Sequence, residues 1–141
     1  MAIHWTQSTE AVDWEEMSEL YRIAPLGTKS SEWLKTAFSN SMFKCLAYDG
    51  DRIVAAGRAV ADGVDCSYLC DIVVHPSCQG SGLGKALIQK LVDLSTGHRK
   101  IILYAVPGRE PFYEKFGFRR MKTAMAIFSD PARAAADGYT Q

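Results

Sequence analysis

A chain of 141 residues has room for one hydrophobic core rather than two. With 48% hydrophobic and 23% charged residues it has an ordinary globular composition, and no apolar run approaches the ~20 residues that span a bilayer. Lysine plus arginine balance aspartate plus glutamate at 16 each, so no overall field recruits nucleic acid or an anionic membrane, and neither is expected as a partner. In chain order, residues 12–24 read as a helix, with Trp14, Met17, Leu20 and Tyr21 at helical spacing and Asp13 placed to cap it. Pro25 and Gly27 break the chain. A second helix is predicted over 31–39, with Trp33, Leu34, Ala37 and Phe38 as its apolar face.

Two β-prone runs follow, 43–48 and 52–60, joined by Asp49-Gly50-Asp51, a hairpin signal because the turn needs positive φ that glycine tolerates. A looser Asp62-Gly63 turn leads to a strand at 67–74, ended by Pro76. Residues 83–94 are helical, with Leu83, Leu87, Leu91 and Leu94 on one face. A strand at 100–106, a short helix at 110–116 with Pro111 in its first turn, and a last strand at 121–128 complete the pattern. The order implies an α+β fold: a mixed sheet of about six or seven strands with helices on both faces. It forms a single domain over 1–128, with 129–141 as a peripheral tail.

The N-terminus lacks a basic segment followed by an apolar stretch, so a cytoplasmic location is expected. Cys45, Cys66, Cys70 and Cys78 show no CxxC pairing and no histidines at zinc-finger spacing, so reduced thiols and no metal are expected.

The most informative stretch runs from Cys70 to Lys85, Cys-Asp-Ile-Val-Val-His-Pro-Ser-Cys-Gln-Gly-Ser-Gly-Leu-Gly-Lys. It is a buried strand, a turn, three alternating glycines and a long helix. Glycines let backbone N–H groups approach a ligand, and the helix N-terminus adds unsatisfied donors with partial positive charge, which together favour a phosphate or pyrophosphate. It is not a Walker A loop: the glycine and the Ser/Thr required there are Gln79 and Ala86 here. Nor is it a dinucleotide fingerprint, whose last glycine falls on Lys85 or Leu87.

Gln79, Gly82 and Gly84 instead match the Gln/Arg-x-x-Gly-x-Gly/Ala pyrophosphate signature, and this stretch resembles that of the GNAT superfamily of acetyl-CoA-dependent N-acyltransferases. The later segment Glu110-Pro111-Phe112-Tyr113-Glu114-Lys115-Phe116-Gly117-Phe118 is similar to the family's Phe-Tyr-x-x-x-Gly-Phe motif. The resemblance covers about residues 10–128. It implies that the strands before and after the glycine-loop helix splay apart, and that the pantetheine arm of acetyl-CoA pairs with the backbone of Ile72, Val73 and Val74. The amides of Gln79, Gly80, Ser81, Gly82, Leu83, Gly84 and Lys85 would hold the pyrophosphate. The Lys85 side chain either contacts phosphate or is solvated.

Acetyl transfer from a thioester to an amine needs a polarised carbonyl, a neutral amine and a proton for the departing thiolate. The resemblance casts Tyr113 as that acid, against a packing role beside Phe112 and Phe116. Asp71 stands in an otherwise apolar strand, where a charge is costly unless exposed, paired or useful. It is expected to orient the amine, to accept its proton through water, or to bond to the sheet end. Related amino-sugar acetyltransferases carry a similar Glu-Asp-Ile-Val-Val strand, here Cys70-Asp71-Ile72-Val73-Val74. The arylalkylamine acetyltransferases match Pro111-Phe112-Tyr113, but their histidines fall on Tyr68 and Cys70. An asparagine common in the family after the second splayed strand is replaced by Pro107-Gly108-Arg109. Cys70 reads as an inert buried thiol, and His75 as a surface residue.

The implied function is direct acetyl transfer from acetyl-CoA to a small primary amine. Asp71, with Tyr21, Trp33 and Phe38 as pocket walls, favours a cationic acceptor. An amino-sugar phosphate or a protein or peptide amine is the alternative, and the former calls for a basic cluster such as Arg22 or Arg58 with Arg109. An acyl-CoA-binding sensor without catalysis is the reading of another class. A homodimer is left open.

Overall fold

The structure is a computed structural model describing residues 2–141. The chain forms two compact units, one ending at Leu103 and one spanning Tyr104–Gln141. The first unit holds a five-stranded sheet in the order β1-β2-β3-β4-β5, comprising β1 (Ile3–Thr6), β2 (Phe43–Asp49), β3 (Arg52–Ala61), β4 (Cys66–Val74) and β5 (Lys100–Ile102). The first three pairings are antiparallel and β4–β5 is parallel, so the sheet is mixed as the element order implied. Among the described residues, five strands stand where six or seven were expected.

Helix α1 (Trp14–Ile23) is capped by the Asp13 carboxylate, which accepts from the amides of Glu15 and Glu16. Helix α2 (Ser31–Ser39) is capped by Ser30. Their apolar stripes, Met17, Leu20 and Tyr21 on one and Leu34 and Phe38 on the other, pack with Leu46, Ile53, Ala56 and Val73 of the sheet. Successive residues of a strand face opposite ways, and Gly57, next to Ala56, faces α3 (Leu83–Leu94) on the other side of the sheet. A Cβ at Gly57 would stand 3.0 Å from Leu91 and 2.8 Å from Ile72, so only hydrogen fits beneath that helix.

β1 was missed: its four residues are too few to show a period. Helix α1 begins two residues after the predicted start. The 100–106 strand is shorter than predicted, because its parallel ladder stops at Tyr68↔Ile102. The predicted strand at 121–128 forms no ladder among the described residues. Met125 and Ile127 there are 97% and 101% exposed. A β-prone run becomes a strand only where an edge accepts its backbone groups.

The second unit contains α4 (Glu110–Glu114) and α5 (Pro131–Ala136). The tail expected to be peripheral is helical over α5, with Asp130 capping the Arg133 amide and Ala134 buried. Tyr104, Phe128 and Tyr139 form an aromatic cluster with ring centroids 5.6–6.1 Å apart. No helix among the described residues is long and apolar enough to cross a membrane.

Candidate active site

The centre of the first unit is an irregularity in β4. Arg58 pairs with Cys70 and Ala56 with Val73, so Asp71 and Ile72 together oppose the single residue Gly57. This is a β-bulge, and Asp71 carries it with φ 54°, a left-handed conformation that aspartate tolerates better than most side chains. The Asp71 carbonyl, turned out of the ladder, accepts the buried Tyr21 hydroxyl at 2.5 Å. Burial first, and the Asp71 carboxylate second, push the Tyr21 phenol well above its ordinary value, so it is a firm donor.

The Asp71 carboxylate is occupied. Arg58 Nε on β3 donates to Oδ2 at 2.7 Å, and Lys29 Nζ, from the loop between α1 and α2, stands 3.9 Å from Oδ1. Arg58 Nη1 also donates to the buried Ser41 hydroxyl at 3.2 Å. Trp33 lies against both cations, its ring centroid 5.1 Å from Lys29 Nζ and 6.0 Å from Arg58 Cζ. A free carboxylate among aromatics, as expected from the sequence, is therefore not what the fold presents. Of the three expected pocket walls, Phe38 and Tyr21 are buried in the core and Trp33 alone is exposed, at 47%. Arg22 pairs with Glu19 on the surface of α1.

Lys29 had no signal in the sequence. It sits in an aperiodic loop, and its link to Asp71 is made by tertiary packing alone. Cys70 is partly buried, and desolvation raises its thiol above the ordinary value. His75 accepts the Ser77 amide at 3.1 Å and so caps the short turn Pro76–Cys78.

Among the described residues the β5 ladder ends at Tyr68, so Ile72, Val73 and Val74 lie outside the β4–β5 pairing. The glycine loop follows directly. Gly80 and Gly82 adopt φ of 82° and 83°, and Gly82 is the N-cap of α3 without any side-chain cap. The first bond of this helix runs from the Ala86 amide to the Gly82 carbonyl at 3.0 Å. The amides of Leu83, Gly84 and Lys85 precede it and emerge at the helix start. A Cβ at Gly80 or Gly82 would meet no protein atom within 4 Å, so the space before the loop is open to a ligand. Gln79, Ser81 and Lys85 are exposed beside it. A strand segment outside the β4–β5 pairing, uncapped donors and empty approach fit a pantetheine pyrophosphate.

The chain matches the model of the Acetyltransferase (GNAT) family over residues 7–118. It belongs to that family. It is 36% identical over 118 residues to serotonin N-acetyltransferase 2, chloroplastic, of rice (Oryza sativa subsp. japonica), covering 79% of this chain and 59% of that protein. It is 41% identical over 78 residues to glucosamine 6-phosphate N-acetyltransferase of Trypanosoma brucei brucei, covering 54% of this chain and 49% of that one. The chain thus spans about half to three fifths of the length of these relatives. Among solved structures, a GNAT family acetyltransferase of Streptococcus pneumoniae superposes with a TM-score of 0.78 at 27% identity, over 92% of this chain and 99% of that one.

In the second unit, Tyr113 lies on α4, its ring edge-on to Phe112 at 5.2 Å and Phe118 at 6.3 Å. Burial raises its phenol above the ordinary value, opposed by the weaker effect of Arg109. Glu110 accepts the Gly108 amide at 2.7 Å, fixing the turn that starts the helix.

Proposed function

We propose that this GNAT family member is an N-acetyltransferase that moves an acetyl group from acetyl-CoA to a small primary amine by direct transfer. What supports the reading most is the adjacency of a β4 segment outside the β4–β5 pairing and an uncapped, glycine-led α3 start, connected by only eight residues, 75–82. When bound, acetyl-CoA supplies the activated thioester. The backbone amides at the start of α3 hold its diphosphate, and the backbone of Ile72, Val73 and Val74 aligns its arm and offers N–H groups to the carbonyl.

Tyr113 serves as the acid for the departing sulfur. Its raised phenol is protonated throughout the neutral range, as a proton donor must be. Asp71 is the counter-ion that fixes Arg58 and Lys29 beside β4 rather than the base, because both carboxylate oxygens already face cations.

The test is thiol release from acetyl-CoA across a panel of primary amines, with coenzyme binding followed by calorimetry. Amine-dependent release supports the enzyme. Tight binding with no release for any amine would favour the non-catalytic acyl-CoA sensor.

A further inference from the structure

The charged cluster at the β4 bulge is unbalanced. Two cations, Arg58 and Lys29, face one carboxylate, Asp71, and their side chains are only 13%, 20% and 15% exposed. Arg58 is well satisfied: Nε takes Asp71 and Nη1 takes Ser41. Lys29 is not. At 3.9 Å its ammonium is beyond hydrogen-bond range of Asp71, and its other neighbours are the faces of Trp33 and Tyr21, at 5.1 and 5.8 Å. The Lys29 ammonium makes no hydrogen bond among the described residues, and because no buried side-chain nitrogen there lacks a partner, it stays in contact with solvent. A half-screened ammonium that reaches solvent with no acceptor from the protein is available to an anion.

Resting on the proposed amine acetylation, the geometry points to Lys29, backed by Arg58 and roofed by Trp33, as a subsite for an anionic oxygen group on the acceptor, a phosphomonoester or a carboxylate. Position supports this. Asp71 immediately precedes Ile72-Val73-Val74, so an acceptor anchored at Lys29 lies beside the strand that aligns the acetyl group. The same excess charge repels a plain ammonium compound, which lacks any group to neutralise it.

Matched amine pairs test the subsite: ethanolamine against O-phosphoethanolamine for the phosphate, phenethylamine against phenylalanine for the carboxylate. The wild type is expected to favour the anionic member of at least one pair in kcat/KM. Lys29→Gln should cut that ratio by roughly ten- to a hundredfold, the worth of a charge-assisted hydrogen bond, and Lys29→Arg should largely preserve it. Whichever pair responds tells phosphate from carboxylate. The amines without an anionic group winning both pairs, or a ratio unmoved by Lys29→Gln, overturns the subsite and leaves the acetyltransferase reading intact. If no amine is acetylated, calorimetric titration with inorganic phosphate decides. Binding lost in Lys29→Gln upholds the subsite while the transferase reading fails, and binding that is absent or insensitive to Lys29 overturns it.

Discussion

The hydroxyl of Tyr21, in the middle of α1, donates to the backbone carbonyl of Asp71, fifty residues away at the bulge of β4, at 2.5 Å. This bond joins the helix to the one point where the β3–β4 ladder gives up regular pairing, and it satisfies a carbonyl the bulge would otherwise strand. Tyr21→Phe retains the ring and its packing but leaves that carbonyl without its partner. Unfolding by urea near pH 8 should show a loss of about 1–3 kcal/mol. The alkaline behaviour carries a sign. The folded-state phenol is raised, so its contribution is whole below the ordinary value near 10 and is lost as the unfolded chain ionises first above it. The stability gap between wild type and Tyr21→Phe should therefore narrow as pH climbs past about 10.

Asp71→Asn separates conformation from charge. Asparagine accepts the left-handed backbone as readily as aspartate, so the bulge should persist. Arg58 and Lys29 would lose the one carboxylate they face among the described residues, and breaking a mostly buried ion pair from one side costs on the order of 3 kcal/mol. In a double-mutant cycle, the same change on an Arg58→Met background should cost clearly less. The pH–rate profile bears on mechanism: a counter-ion leaves its limbs in place, whereas a base removed by Asp71→Asn would shift them.

The sequence exposed those parts of this fold that are local. The α2 and α3 boundaries, the Asp13 cap and the Asp49-Gly50 hairpin follow from short-range periodicity and turn chemistry, and all are present. The glycine loop was legible for the same reason, since strand, glycines and helix are contiguous. Asp71 was conspicuous as a charge in an apolar strand, but its meaning was not, because Arg58 is 13 residues away and Lys29 comes from the loop between two helices. The bulge itself left no pattern beyond that one aspartate. Residues 121–128 mislead in the opposite direction: their composition suits a strand, but pairing is a property of the edge that receives it.

Tyr113→Phe deletes a hydroxyl and keeps the ring contacts with Phe112 and Phe118. If the phenol protonates the departing sulfur, kcat should fall by about 10²–10⁴-fold while acetyl-CoA affinity holds. Because burial raises this phenol, its own ionisation should affect the wild-type rate only above pH ~10. A pH–rate profile of kcat with an alkaline decline near pH 8 that disappears in Tyr113→Phe would contradict that assignment.

The glycine loop offers a test in which strain and ligand contact can be told apart. Gly82 sits at φ 83° at the start of α3, and Gly97 sits at φ 96° beyond its far end; a Cβ at either meets no protein atom within 4 Å. Valine at either position must adopt a left-handed backbone, at a cost of roughly 1–2 kcal/mol, so both variants should lose similar stability in thermal melts. Their effects on acetyl-CoA should differ sharply. A side chain at Gly82 projects into the open approach to the uncapped amides of Leu83, Gly84 and Lys85; if these hold the diphosphate as proposed, calorimetric affinity should fall by at least about a hundredfold, on the order of two charge-assisted hydrogen bonds. Gly84→Val, one residue into the first turn, should weaken binding similarly. Gly97→Val should bind acetyl-CoA as the wild type does. Equal affinity across all three variants would place the coenzyme elsewhere, whereas a loss confined to Gly82 and Gly84 ties its phosphates to the N-terminus of α3.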